Sequence, residues 1–255
     1  MPSSRNSPPD LSAVTSRYLE AVYYMAHEGE VARPSKLAEW LGVQAPTVTG
    51  VVQRMRDRGY LSIGEDRSLS LTEAGESLAS EIVRRHRVVE RWLADQMGMD
   101  WAAADLEAGR IAHFFSADLV ARLFERLGRP ITCPHGNEIP GAGCPPRQLV
   151  CLADLGPELL APIARISEVA EHEAPQLLRL LDREGLHLER LVGVERAEGA
   201  GAITVVSDGH ATSLGLPAAR AVWVDVSRSR PRARTGRATG PGTPRTRPQA
   251  AIPPS

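Results

Sequence analysis

Apolar side chains recur along residues 11–28 as Leu11, Val14, Tyr18, Leu19, Val22 and Met25, the spacing of a helix with one buried face. Two shorter segments follow. Leu37, Ala38 and Leu41 share a face of a helix opened by Pro34-Ser35 and closed by Gly42. Val48, Val51, Val52 and Met55 share a face of the next helix, which begins at Ala45-Pro46 and ends near Gly59; proline in a first turn loses no hydrogen bond. Two short helices across a tight glycine turn predict a helix-turn-helix. The pattern then alternates: Tyr60–Ile63 and Ser68–Leu71 flank the polar run Gly64-Glu65-Asp66-Arg67 and read as strand, turn, strand. A hairpin placed there is a wing. Residues 11–75 therefore read as a winged helix-turn-helix that binds DNA, against the plainer alternative of a three-helix core with a surface hairpin.

Thr72 starts a long helix reaching about Met97, and residues 76–131 read as all-helical. Ile82, Val83, Val89, Trp92, Leu93, Ile111, Phe114, Phe115, Leu119, Leu123 and Leu127 give it more apolar surface than a small winged helix can cover, which predicts a dimer interface. Residues 132–157 are rich in Pro and Gly and read as a linker. In 158–226, a strand or connector at 162–169 and a helix at 176–184 ended by Gly185 precede short strands at 188–194, 202–206, 211–214 and 221–226. Asp208-Gly209 marks a hairpin turn. The expected fold class is α+β: winged helix, helical dimerisation domain and a small C-terminal β-barrel. Residues 1–10 and the Arg/Pro-rich stretch 227–255 are expected to be disordered.

Composition narrows the function. No apolar run approaches the length of a membrane span, and the first residues lack the apolar core of a signal peptide. Three cysteines do not make a disulfide scaffold and fit a reducing cytoplasm. The net charge of −1 conceals an asymmetry: seven arginines and no acids lie in 227–255, leaving 23 basic against 31 acidic residues before them. Any DNA binding by the body thus rests on local pattern, with the tail free to add salt-dependent phosphate attraction. No phosphate-binding loop, nucleophile elbow or dinucleotide turn is present, so neither an enzyme nor a small-molecule substrate is expected.

The start of the second short helix should enter the major groove with Gln44, Ala45, Pro46, Thr47 and Thr49, a short and uncharged surface suited to thymine methyls and adenine edges. Ser35, Lys36, Arg54 and, on the wing, Arg67 are the expected phosphate anchors, with Arg56 and Arg58 behind them. Charges from Ser35 to Glu73 cancel, so affinity should depend on dimerisation.

Three features converge: the winged helix, the stretch Arg84–Arg91 with His86 and Glu90 on one helix face, and the loop Cys133-Pro134-His135-Gly136-Asn137-Glu138-Ile139-Pro140-Gly141. Together they resemble the DtxR/MntR family of iron- and manganese-dependent repressors over about residues 11–226. The resemblance implies an SH3-like (FeoA-like) third domain, a divalent transition metal (Fe²⁺ or Mn²⁺, with Zn²⁺ and Co²⁺ possible in vitro) and palindromic operators bound by a homodimer. It places Gln44, Pro46, Thr47 and Thr49 at DNA-contact positions, whereas Gly50 stands where relatives often carry a polar side chain. It also implies a first metal site of His86, Glu90, Asp105, Glu173 and Gln176, with Asp105 in place of the family's histidine. The second site is degenerate. Only Glu20 and His113 remain, while Arg17, Gly109 and Ala112 occupy the other ligand positions.

Two rival readings follow. One keeps the fold and drops the metal switch, with Arg17 as a fixed cation tethering the first helix. The other, of a different class, is a metal-buffering or protein-interaction module. A zinc site among Cys133, His135, Cys144 and Cys151 lacks the short paired spacings of structural zinc sites.

Overall fold

A computed structural model describes residues 12–173, 176–196 and 201–232, without the side chains of 171–173 and 196. Leu11, the first ten residues and the tail from 233 lie outside the described residues.

Helix α1 (Ala13–His27) buries Tyr18, Leu19, Ala21, Val22 and Met25 as its periodicity requires, although Val14 is exposed. Helix α2 (Pro34–Leu41) ends on Gly42 in the left-handed conformation, and α3 (Ala45–Asp57) starts with proline in its first turn. Strands β1 (Leu61–Ile63) and β2 (Leu69–Leu71) pair antiparallel to form the wing. Helix α4 (Glu73–Met97) is capped by Thr72, whose hydroxyl accepts from the Gly75 N–H at 3.1 Å. Its 25 residues span about 37 Å. Ala79 and Val83 on its first half complete the core of the winged helix, while Val88, Val89 and Leu93 on its second half pack against α5 (Trp101–Ile111) and α6 (Ala117–Arg126). One helix thus carries the reading head and the body, and a tilt of either is felt by the other.

The C-terminal module is a sheet of β3 (Leu149–Cys151), β4 (Leu159–Ile166), β5 (Leu191–Arg196), β6 (Ala202–Ser207), β7 (His210–Gly215), β8 (Val222–Asp225) and β9 (Arg230–Pro231). Helices α7 (Glu168–Glu173), α8 (Gln176–Arg183) and α9 (Leu216–Ala221) cover it. The order is β3-β8-β4-β5-β6-β7, with β9 added to β4. Asp208 and Gly209, both at positive φ, make the two-residue turn between β6 and β7. A register shift between Ile163 and Arg165 bends β4, which pairs with β5 through Ala161 and Pro162 and with β8 on both sides of the bend, through Ile163, Arg165 and Ile166. Among the described residues β3 and β7 do not pair, so the sheet is open and SH3-like rather than the closed barrel that strand patterning suggested.

Two further differences concern polar segments. Residues 132–157 are not a plain linker: Cys133, His135, Asn137, Ile139, Leu152 and Leu155 are buried, and β3 lies within the stretch. Order also continues past Ser227. Arg230-Pro231 adds to β4, Arg228 pairs with Glu189 (2.9 Å), and Arg232 binds Glu195 and the Val194 carbonyl. Backbone pairing and ion pairs order this segment, and neither leaves an apolar pattern to read.

The Cys133–Gly141 loop is laced onto β4. The Cys133 N–H donates to the Asn137 carbonyl (2.8 Å), the Ile166 N–H to the His135 carbonyl (2.9 Å) and Asn137 Nδ2 to the Ile166 carbonyl (3.0 Å). Gly136 makes this possible: its φ is +83°, and a Cβ there would lie 2.1 Å from the Ala164 carbonyl oxygen of β4. Gly143, at φ +75° in open space, provides the contrast. G143A should cost about 1 kcal/mol, the strain of a left-handed alanine. G136A should cost at least twice as much in urea unfolding, because the β4 backbone must also move. Equal losses would contradict the lacing.

Candidate metal centre and nucleic-acid interface

The reading surface is short and uncharged, as expected. Gln44, Ala45, Pro46, Thr47 and Thr49 are exposed on the first turns of α3. Gln44 makes no side-chain cap, so its amide faces outward, whereas the Thr49 hydroxyl donates to the Ala45 carbonyl at 3.2 Å and presents its methyl. Gly50 leaves the next turn bare. Ser35, Arg54 and Arg67 are exposed. Lys36 differs: its ammonium is held by Glu30, which makes it a weaker phosphate anchor. Arg56 pairs with Asp57 at 2.9 Å. The wing is braced at its tip. Asp66 accepts from the Ser68 N–H and from Arg33 at the start of α2 (2.8 Å); the Ser68 hydroxyl, the Ser68 N–H and Arg33, in that order, hold its carboxyl at about 2. Arg67 sits beside it at φ +63°. The bend therefore presents Arg67 from a fixed backbone.

Of the five residues expected to share the first metal site, the described side chains on α4 part company: His86 meets Asp105, and Glu90 meets His135. His86 lies between two carboxylates, Nδ1 at 3.2 Å from Glu20 of α1 and Nε2 at 3.2 Å from Asp105 of α5. Glu20 also accepts from the Tyr24 hydroxyl. Gln176 is exposed, and the Glu173 side chain lies outside the described residues. Of the degenerate second site, Glu20 has joined His86. His113 is exposed and rests its ring on Phe114, so it is neither a ligand partner of Glu20 nor a core histidine. Arg17 is exposed as well. His86, rather than Arg17, ties α1 to α4 and α5. Burial pulls the His86 pKa down, but Glu20 and Asp105 outweigh it and carry it well above its ordinary value.

Glu90, one turn beyond His86, turns instead into the body. Its Oε1 is 2.8 Å from His135 Nδ1, and both side chains are 2% exposed. Cys133 joins them: the ligand atoms of Glu90, Cys133 and His135 all lie within 4.8 Å of one another, and all three residues are buried. The fit to a divalent transition metal rests on these donors. A carboxylate on an apolar helix face needs a cation, and Glu90 Oε1 accepts no hydrogen bond of good geometry. Thiolate, imidazole and carboxylate together suit Fe²⁺, Zn²⁺, Co²⁺ or Mn²⁺. Burial, then the charge of Glu90, pushes the Cys133 thiol up to about 11. A metal must therefore displace its proton. The sequence offered the signal, a Cys-x-His step inside the family-like loop. It is obscured because the resemblance draws Glu90 to another site and the two distant cysteines compete as zinc partners; neither Cys144 nor Cys151 belongs to this group.

Two measurements check this geometry. Metal affinity, read by competition with a chromogenic chelator, should fall at least about 10-fold in C133A and E90Q and stay unchanged in H113A. It should also rise as pH increases below 11, by up to about tenfold per unit for the one thiol proton displaced; a flat profile would contradict thiolate ligation. In metal-free protein, the stability that His86 adds should be fully present below about 6.5, its unfolded value, and fade as pH rises through the elevated folded value. The gap in thermal midpoint between the wild type and H86Q should narrow accordingly; a gap constant across that range would contradict an imidazolium brace.

Comparison with known proteins agrees with the architecture. The profile described as "Iron dependent repressor, N-terminal DNA binding domain" matches residues 10–69, and "Iron dependent repressor, metal binding and dimerisation domain" matches 72–141. The chain is 34% identical over 212 residues to the iron-dependent repressor IdeR of Mycobacterium tuberculosis, covering 79% of this chain and 91% of that protein. It is 34% identical over 225 residues to the diphtheria toxin repressor of Corynebacterium glutamicum, covering 85% and 97%. Among solved structures, a manganese-dependent transcriptional repressor in complex with manganese superposes with a TM-score of 0.74 at 33% identity, over 83% of this chain and 99% of that one. Winged reading head, helical body and laced metal loop thus carry both sequence and structural likeness, and the chain belongs to the iron-dependent repressor family of DNA-binding transcriptional regulators.

Proposed function

We propose that this protein represses iron- or manganese-homeostasis genes as a homodimer on palindromic operators, in response to a divalent metal held by Glu90, Cys133 and His135. The observation that carries the reading is the position of that cluster. It lies where α4, the helix shared by head and body, meets the loop laced onto the C-terminal module. When bound, the metal supplies the positive charge that the buried Glu90 carboxylate needs and joins α4 to the loop. The chain's own residues do the rest. Glu90 fixes the rotation of α4, and the His135 carbonyl and Asn137 amide fix the end of β4. Gln44, Pro46, Thr47 and Thr49 read base edges, while Ser35, Arg54 and Arg67 grip phosphates.

Dimerisation is supported by the apolar surface left on the helical body. Phe114 is 78% exposed, and Met97, Leu106 and Leu119 are exposed near it in sequence. Single charges in this head cancel, so two heads on one duplex are needed for tight binding. No helix among the described residues is long and apolar enough to cross a membrane, in keeping with action on DNA in the cytoplasm.

A second reading has a specific observation behind it. The Glu20–His86–Asp105 brace already ties α1 to α4 and α5 without a metal, which favours DNA binding that persists in chelator. Fluorescence anisotropy on an A/T-rich palindrome and a scrambled control, at fixed salt, separates the two. The metal-responsive reading expects operator affinity to rise about 5–150-fold with Fe²⁺ or Mn²⁺ over chelator. Equal affinity in both would favour the metal-independent reading. Thr47→Ala should lower discrimination against the scrambled site by about 1–3 kcal/mol. Arg67→Ala should instead weaken both sites alike and reduce the salt slope. No preference for the palindrome under any condition would overturn the DNA assignment of this surface.

A further inference from the structure

Glu28 closes α1, on the far side of that helix from the reading surface in sequence terms, and its carboxylate crosses to the C-terminal module. It takes three hydrogen bonds there: from the Glu168 N–H at 2.7 Å, from Arg165 Nη1 at 3.3 Å and from the Ser167 hydroxyl. The site is secluded, with Glu28 only 9% and Arg165 15% exposed at the side chain. The stretch Arg165–Glu168 at the end of β4 also grips the loop and α4. Ile166 holds His135 through its backbone N–H and accepts from Asn137, and Glu168 accepts two N–H bonds from Arg87 at 2.6 and 3.0 Å. Arg87 lies one turn from Glu90 and also donates to the Glu138 carbonyl of the loop. Continuous contacts therefore run from Glu90, Cys133 and His135 through β4's end to the residue that caps the first helix of the reading head.

We infer that Glu28 is a positioning residue that couples the metal cluster to the orientation of the winged helix. This rests on the functional reading above and names the contact through which it works. Metal closure of the loop fixes Arg165–Glu168; those residues hold Glu28; and Glu28 holds α1, whose Leu19, Val22 and Met25 share one core with Val48, Val51 and Met55 of the recognition helix. The carboxylate has no ligand role and touches no DNA-facing residue. Its removal should leave each binding event largely intact and separate the two. A residue that merely cements domains would behave otherwise, lowering operator affinity by one factor with or without metal.

The full chain tests this. Operator affinity is measured by anisotropy with Mn²⁺ and with chelator, and Mn²⁺ affinity by chelator competition with and without operator DNA. Variants are E28Q, which loses the charge, and E28D, which keeps the charge but shortens the reach and guards against a misfolded E28Q. In the wild type the two couplings must be equal by linkage. In E28Q both should fall to within about threefold of unity, with Mn²⁺ affinity of the DNA-free protein changed less than about threefold; E28D should fall between. Hydrogen exchange on metal-free protein adds an independent reading. Amides at the C-terminal end of α1 should exchange faster in E28Q, while those of the β6–β7 hairpin stay protected. An E28Q ratio equal to the wild type's overturns the role of Glu28. If the wild-type ratio is itself near one, the functional reading fails, and the exchange data decide alone: unchanged α1 protection in E28Q overturns the clamp.

Discussion

A carboxylate buried in a helical body needs a compensating cation, and Glu90 imposes that requirement on everything around it. At 2% exposure its charge has no water to screen it, and the penalty for an uncompensated buried ion runs to several kcal/mol. The Cys133–Gly141 loop reaches it, with His135 at 2.8 Å and the Cys133 sulfur beside it. To reach that depth the loop must lie against β4 closely enough to exclude a side chain at position 136. The need of one anion thus ties the middle of α4 to the edge of the C-terminal sheet, and a divalent metal bound there would meet it.

The two charged clusters on α4 divide the labour. His86 faces α1 and α5, Glu90 faces the loop, and Arg87 between them reaches Glu168. All three lie within two helical turns, so helix geometry alone turns them to different neighbours. The brace at His86 is made from a proton and two carboxylates. Glu20 on α1, His86 on α4 and Asp105 on α5 thereby hold three helices together.

Much of this was legible in sequence. The winged helix follows from apolar spacing, Gly42, Pro46 and the polar wing tip, and each element lies within a residue or two of its expected place. These are local signals set by backbone preference and one buried face. The outward-facing Gln44, Pro46 and Thr47 were legible for the same reason. The candidate metal cluster was not, because its Cys133 and His135 are 43 and 45 residues from Glu90 along the chain. His86 and Glu90 share a helix face on paper, but four residues advance a helix by more than a full turn, and different elements pack at each level. The lacing of 132–141 was hidden by composition: Pro and Gly signal a loop, and they do not say that its backbone will be buried against a strand. The ordered Arg228–Arg232 segment was hidden likewise by charge.

The account stands most directly on the claim that the regulatory metal is bound through sulfur. X-ray absorption at the metal edge, on full-length protein loaded with one equivalent of Fe²⁺ or Zn²⁺, reads this without any DNA assay. One sulfur scatterer at about 2.3 Å is expected, with the remaining shell nitrogen and oxygen, and that sulfur should vanish in C133S. A shell of nitrogen and oxygen alone in the wild type would place the metal elsewhere, at His86 and its carboxylates, and contradict the role given to Glu90, Cys133 and His135.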